Sequence, residues 1–193
     1  MQDKDKFLVE RFQQGEKTAF DELVRIYQNK IYKLAYRFTH NVDDALDLSQ
    51  EIFLRAFKSL GDFKQQSSFY TWLYRIAQNL CIDYTRHKKV CLKTITFAED
   101  MYSQKYIFSH VAFASPSKLV EAKELESEIA KAIDILPPRQ KSAFILRYYE
   151  GLDLNSIAEI LGCRVGTVKA HLSYGRNMLK KMLLPYLKDG ITY

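Results

Sequence analysis

The sequence predicts an all-α protein made of two small helical domains joined by a flexible linker, the C-terminal domain holding a helix-turn-helix. Apolar residues recur at spacings of three and four over most of the chain, which is the period of an amphipathic helix. Glycine and proline are few and fall mostly between these periodic segments. One stretch has no sustained period and no net charge. We therefore assign residues 1–92 and 118–193 to the domains and 93–117 to the linker.

Composition narrows the classes of protein and of partner. The net charge of +6 favours a polyanionic partner. Cys81, Cys91 and Cys163 are odd in number and lack CxxC spacing, so we expect reduced thiols, a cytoplasmic location and no metal site or cofactor. The charged N-terminus does not fit a signal peptide, and no apolar run approaches the roughly 20 residues of a membrane span. We therefore expect no membrane insertion.

The first half of the chain contains three predicted helices before a polar loop. Residues 4–14 form a short helix ended by Gly15, and Lys17–Phe38 has one apolar stripe of the kind that builds a core. The next helix is VDDALDLSQEIFLRAFKSL, which Asn41 or Asp43 can cap and Gly61 ends. It carries two apolar stripes and a third, acidic face. That face is either packed in the core or offered to a partner protein; its residues are Asp43, Asp47, Gln50, Glu51 and Leu54.

The most unusual segment is Phe69–Lys89, FYTWLYRIAQNLCIDYTRHKK, which follows the loop Gly61–Ser68. One side is an apolar stripe. The other side interleaves rings, cations and amides: Tyr70, Tyr74, Arg75, Gln78, Asn79 and Arg86. Such a surface suits single-stranded nucleic acid, because bases stack on rings and phosphates pair with cations. The alternative is a core helix with a solvated basic end. The loop holds one aromatic residue, Phe63, that is a candidate for exposure to solvent. The loop is therefore either a plain connector or a site that holds an unstacked base.

The C-terminal segment Leu152–Lys181 carries the most specific signal. Asp153 or Asn155 can cap a short helix, Gly162 supplies a turn, and a second helix runs from about Val165 to Leu184. Cys163–Lys181 contains five basic residues and no acidic one. This is the pattern of a helix-turn-helix whose second helix enters the DNA major groove. We expect Gly175 to let the first helix of the pair approach closely. A preceding helix, Lys118–Leu136, ends at Pro137-Pro138, and a further helix follows to Gly151.

The chain resembles bacterial sigma factors of the extracytoplasmic-function group over nearly its whole length. The resemblance rests on FDELVRIYQNKIYKLAYRFTHNVDDALDLSQEIFLRAF, FYTWLYRIAQNLCIDYTR and ILPPRQKSAFILRYYEGLDLNSIAEILGCRVGTVKAHL, occurring in that order. It implies an alternative sigma factor without catalytic activity that binds core RNA polymerase, melts the −10 element and recognises the −35 element. It also implies an anti-sigma factor as a partner. The chain differs from the usual pattern in having His171 and Tyr174 where Arg is common.

The resemblance assigns roles by position. Contact with the clamp of the largest polymerase subunit is implied for Asp47, Gln50, Glu51 and Leu54. Contact with the melted −10 strand is implied for Phe63, Lys64, Tyr70, Trp72, Arg75, Asn79, Asp83 and Arg86. Contact with the −35 duplex is implied for Lys169, Ala170, Ser173, Tyr174 and Arg176.

Two other functions compete with this one. A stand-alone helix-turn-helix transcriptional regulator would need a ligand-sensing domain, and the helical N-terminal half offers no obvious one. A DNA recombinase would need an arginine cluster or metal set beside its serine, and none accompanies Ser49, Ser59, Ser67 or Ser68 in the sequence.

Overall fold

A computed structural model describes residues 2–95 and 128–188, and these residues fold entirely as helices and short connections. This confirms the all-α prediction. The helices are α1 (Gln2–Gln13), α2 (Thr18–Thr39), α3 (Val42–Ser59), α4 (Phe69–Ile95), α5 (described over 128–135), α6 (Pro138–Tyr148), α7 (Leu154–Leu161) and α8 (Val165–Lys188). The predicted linker lies outside the described residues except for its first three positions, as does most of the helix predicted from Lys118.

The N-terminal module is built on α2, whose apolar stripe is buried as predicted. Asn41 caps α3 by accepting a hydrogen bond from the backbone N–H of Asp44 at 3.0 Å. A 3₁₀ turn, Leu60–Asp62, follows α3 and turns the chain toward α4. Tyr27 is fully buried and donates to Asp5 on α1 at 2.5 Å, so a polar group inside this core has its partner.

α4 is longer than the sequence suggested. It continues six residues beyond Lys89, to Ile95, because the segment VCLKTI contains no proline or glycine to end it. Its last three residues thus lie inside the segment assigned to the linker. On its apolar side Phe69, Leu73, Ala77 and Leu80 are buried as predicted, whereas Ile76 and Tyr84 are half-buried.

The C-terminal module contains the predicted helix-turn-helix, formed by α7 and α8. Asp153 caps α7 by accepting from the backbone N–H groups of Asn155 and Ser156, and Gly162 follows with a left-handed φ of 61°. The prediction that Gly175 allows α7 to approach closely is wrong. A Cβ there would lie 3.4 Å from Phe144 on α6 and 3.6 Å from Leu136, so the close approach is to α6 and not to α7.

The two modules pack against each other, which sequence alone left open. α7 and α6 lie against α4, and one continuous hydrophobic core includes Leu73 and Ala77 of α4 together with Leu146 and Ile157 of the C-terminal module. The packing therefore buries part of α4 that the sequence had suggested was open.

Candidate functional site

A groove of about 980 Å³ lies between α2 and α3, and it contains all four residues predicted to bind a partner protein. Asp47, Gln50 and Leu54 are exposed, while Glu51 is half-buried and accepts from Arg55 at 2.7 Å. The groove is lined by Phe20, Val24, Gln28, Asn29, Tyr32, Leu46, Asp47, Ser49, Gln50, Glu51, Phe53, Leu54 and Phe57.

The groove combines exposed apolar side chains with a carboxylate rim. Leu46 is 44% exposed and Leu54 is 47% exposed, on a helix that also presents Asp47. Apolar surface flanked by acidic groups suits a helical protein partner with a basic face. The second apolar stripe predicted on α3 is therefore only partly core, because Leu46 at its start faces solvent.

Sequence reasoning missed the wall that α2 contributes to this groove. It treated α2 as a core helix, yet Gln28, Asn29 and Tyr32 line the side facing α3. The available signal was that these three residues lie off the buried stripe marked by Tyr27 and Ile31, and that Gln28 and Tyr32 are one helical turn apart.

The predicted DNA-binding side of α4 divides into two stripes with different environments. The exposed stripe runs along the helix through Trp72, Arg75, Asn79, Asp83 and Arg86, each three or four residues from the next. Trp72 is half-buried and the other four are exposed. Asp83 and Arg86 form an exposed ion pair at 3.6 Å near the C-terminal end of the stripe.

The second stripe is covered by the C-terminal module. Tyr74 and Gln78 were expected on the open side, but they are 0% and 1% exposed. Tyr70 is half-buried and stacks on Tyr74, with ring centroids 4.2 Å apart. Burial raises the pKa of Tyr70 to about 12 and, together with the charge of Glu150, raises the pKa of Tyr74 further, so both phenols stay neutral hydrogen-bond donors at physiological pH.

The loop between α3 and α4 differs from expectation at Phe63. This ring is 9% exposed, not open to solvent, because it packs on Trp72 with centroids 4.8 Å apart. Lys64 remains exposed. The side-chain N–H of Gln13 on α1 donates to the backbone carbonyls of Phe63 and Leu60 at 2.9 and 3.1 Å, which ties the loop to α1. A recess of about 380 Å³ lies beside it, lined by Asp3, Lys6, Val9, Phe63, Gln65, Ser67, Ser68 and Phe69.

The outer face of α8 is open, as the helix-turn-helix pattern predicted. All five predicted contact residues are exposed: Lys169, Ala170, Ser173, Tyr174 and Arg176. Val168, Leu172 and Leu179 are buried on the opposite side and anchor the helix to its module. Burial lowers the pKa of His171, with a further contribution from Arg139, so His171 is neutral at pH 7 and adds no fixed charge to this face.

Two sequence families match the two modules. Residues 23–90 match Sigma-70 region 2, and residues 126–179 match Sigma-70, region 4. Region 2 thus corresponds to the N-terminal module, and region 4 corresponds to the module that holds the helix-turn-helix.

Similar proteins align over almost the full length. The RNA polymerase sigma-H factor of Pseudomonas aeruginosa is 38% identical over 98% of each chain. The ECF RNA polymerase sigma factor SigW of Bacillus subtilis is 38% identical over 91% of this chain and 94% of its own. The ECF RNA polymerase sigma-E factor of Escherichia coli is 33% identical over 95% of this chain and 96% of its own.

Solved structures share the fold. CnrH, solved in complex with the cytosolic domain of CnrY, superposes with a TM-score of 0.66 at 22% identity, covering 93% of this chain and 97% of CnrH. The sigma factor RpoE of Bartonella quintana, solved with the anti-sigma factor NepR, gives 0.65 at 21% identity, covering 85% and 96%. The chain is similar to several sigma factors over almost its full length, and it matches both region 2 and region 4. It therefore belongs to the extracytoplasmic-function (ECF) family of RNA polymerase sigma factors.

Proposed function

We propose that this chain is an alternative sigma factor that binds core RNA polymerase and directs it to specific promoters. The observation that supports this most strongly is the combination of three surfaces in one chain: an acidic and apolar groove for a protein, an aromatic and cationic helix for single-stranded DNA, and an exposed recognition helix for duplex DNA. A stand-alone regulator has no need for the first two.

The groove between α2 and α3 is the proposed polymerase contact. Asp47, Gln50, Glu51 and Leu54 meet the clamp of the largest subunit, and Gln28 and Tyr32 of α2 complete the contact from the other wall. The acidic rim selects a basic partner, and the exposed leucines add apolar area to be buried.

The exposed stripe of α4 is the proposed contact for the melted −10 strand. Base stacking on an aromatic ring contributes roughly 1–3 kcal/mol per base, which offsets part of the cost of unpairing the duplex. Trp72 offers a ring on this stripe, and half-buried Tyr70 offers one on the covered stripe beside it. Arg75 and Arg86 on the exposed stripe, with Lys64 in the preceding loop, offer charge to phosphates. Asn79 and Asp83 supply polar groups to base edges.

The outer face of α8 is the proposed contact for the −35 duplex. Lys169 and Arg176 flank the face and reach phosphates or guanine edges, whereas Ala170, Ser173 and Tyr174 lie between them. Tyr174 lacks the two-pronged donor of arginine, so it favours apolar contact such as a thymine methyl over guanine.

The proposal needs no catalytic residue and no cofactor, and it places the protein in the cytoplasm with the polymerase. It includes an anti-sigma factor as a further partner; CnrH and RpoE, which share the fold, were solved with protein partners. No helix in the described part of the chain is long and apolar enough to cross a membrane.

Footprinting separates this proposal from a stand-alone regulator. Promoter DNA is digested in the presence of the chain alone, of core polymerase alone, and of both. We expect protection of the −10 and −35 elements only with both. Equal protection by the chain alone would favour the regulator.

A further inference from the structure

The recess beside the loop between α3 and α4 is formed by two parts of the chain. The loop and the first residue of α4 supply one part of its lining, which consists of Phe63, Gln65, Ser67, Ser68 and Phe69. The first helix, α1, supplies the other part through Asp3, Lys6 and Val9. The residues that match Sigma-70 region 2 begin at 23, so α1 precedes them. The match therefore does not include the α1 wall of the recess.

This wall is fixed to the N-terminal module near both ends of α1. Near the start, Asp5 is buried and accepts a hydrogen bond from Tyr27 of α2 at 2.5 Å. In the middle, Val9 is buried in the hydrophobic core. Near the end, Arg11 pairs with Glu22 of α2 at 3.3 Å. The α1 wall is thus held in a defined position beside the loop.

The last residue of α1, Gln13, holds the loop by its backbone. Its amide nitrogen donates to the carbonyls of Phe63 at 2.9 Å and Leu60 at 3.1 Å, with a longer contact of 3.5 Å to the carbonyl of Gly61. Its amide oxygen accepts from the side chain of Gln65 at 3.5 Å. One side chain of α1 therefore contacts the loop from residue 60 to residue 65.

Gln65 has an unusual backbone conformation. Its φ is 52°, in the left-handed region that is costly for residues other than glycine. Such a conformation persists where the surrounding structure enforces it, and it is found often at ligand sites. Gln65 both lines the recess and contacts Gln13. The loop is therefore held in one shape, which a site that discriminates between bases requires.

The recess has the size and the chemistry of a site for one base. Its volume of about 380 Å³ lies within the usual range for small-molecule sites, roughly 300–1,000 Å³. Phe63 and Phe69 offer apolar surface, and Gln65 and Ser67 offer polar groups. A base that has left a duplex is recognised by apolar contact and by hydrogen bonds of this kind. None of these groups from the loop and α4 is charged.

The charges of the recess come from α1. Asp3 and Lys6 are exposed and lie about one helical turn apart on the same wall. Because an ionised carboxylate only accepts hydrogen bonds, Asp3 favours a base with an exocyclic amino group, which is cytosine or adenine. Lys6 only donates, and its exposed contact with Glu10 is long, at 4.0 Å. Its ammonium is therefore available to a phosphate beside the base.

We propose that α1 determines which base the loop accepts: Gln13 is a positioning residue that fixes the shape of the recess, and Asp3 selects a base that carries an exocyclic amino group. This inference rests on the proposed function, in which the loop meets the melted −10 strand. Selectivity at one −10 position is then a property of α1 and the loop together, and not of the loop sequence alone.

The test uses the full chain bound to core polymerase, with a promoter library randomised across the −10 element and a barcode in each transcript. Sequencing the transcripts gives the base preference at each position. Gln13→Glu keeps the shape of the side chain but replaces a donor by an acceptor that faces carbonyls. The matched control is Gln14→Glu, the same change at the next residue, which does not line the recess. Urea unfolding confirms that each variant is folded.

We expect the wild-type chain to prefer cytosine or adenine at one −10 position. Gln13→Glu should reduce that preference about fivefold and leave the other −10 positions unchanged, because the loosened loop no longer holds one base in place. Gln14→Glu should match wild type. Asp3→Lys replaces the acceptor by donors and should move the preference at that position toward thymine or guanine. Asp21→Lys, the same change on an exposed residue of α2 outside the recess, should not.

A promoter without the base at the affected position separates base recognition from a purely structural role. The non-template strand carries an abasic site there, and permanganate reactivity measures promoter opening. If Gln13 acts through that base, Gln13→Glu should lower the opening of the intact promoter and not that of the abasic one.

An equal loss of opening on both promoters would overturn the positioning role of Gln13, as would a wild-type base preference in Gln13→Glu. A wild-type preference for thymine or guanine at the affected position, or an unchanged preference in Asp3→Lys, would overturn the role of Asp3. Absence of promoter-dependent transcription with the wild-type chain would instead refute the proposed function, so the two failures are distinguishable.

Discussion

Leu54→Ala tests the polymerase groove, because Leu54 holds a large part of its apolar area in solvent. Full burial of a leucine side chain contributes about 1.5–3 kcal/mol. Leu54 is 47% exposed, so docking can bury about half of that, or about 0.7–1.4 kcal/mol. The substitution should weaken binding to core polymerase by about 3- to 10-fold. It should change the free energy of unfolding less than a core substitution would, since about half of the side chain is already in water.

The matched control is Leu184→Ala on α8, where a leucine is 41% exposed away from the groove. Competition binding measures both variants against a labelled wild-type chain on purified core polymerase, and urea unfolding measures their stability. Wild-type affinity in Leu54→Ala, or an equal loss in Leu184→Ala, would refute the assignment of the groove.

Three further predictions concern the two DNA surfaces and the loop. Asn79→Ala should reduce permanganate reactivity of promoter thymines while leaving duplex binding and stability nearly unchanged, because Asn79 is exposed; wild-type reactivity would contradict its place on the strand. Tyr174→Arg should move the selected −35 sequence toward guanine at one position, by roughly 1–3 kcal/mol for a two-pronged contact, and an identical sequence selected from a randomised library by both proteins would contradict it. Gln13→Ala removes the side-chain hydrogen bonds to the loop, of which those to Phe63 and Leu60 are the shortest, and should lower the free energy of unfolding by about 1–2 kcal/mol in urea, against less than about 0.5 for the neighbouring Gln14→Ala; equal effects would show that the loop is not held by α1.

The helices could be predicted from sequence because their causes are local. The regular spacing of apolar residues predicted α2 and α8. Asn41 caps α3 and Asp153 caps α7, as predicted, and Gly162 supplies the predicted turn. Exposure of the recognition helix followed from the same period, since one face of α8 is apolar and the other is not.

Burial on α4 could not be predicted, because its cause is distant in sequence. The sequence predicts that Tyr74 and Gln78 face solvent. In the structure they are covered by a module more than 70 residues away in the chain. Phe63 read as exposed because its neighbours in the chain are polar, yet Trp72 of the next helix covers it. The charge pairs of Glu150 and Asp134 likewise depend on how the modules meet, which the period of a helix does not encode.

Mapping transcript start sites tests the central claim most directly. Core polymerase transcribes genomic DNA alone, with the chain, and with a variant reversing two groove charges, Asp47→Lys with Glu51→Lys. With the wild-type chain we expect a defined set of new start sites that share −10 and −35 sequences, and with the variant we expect these starts to be lost. The same start sites with and without the chain would contradict its assignment as a promoter-specificity subunit.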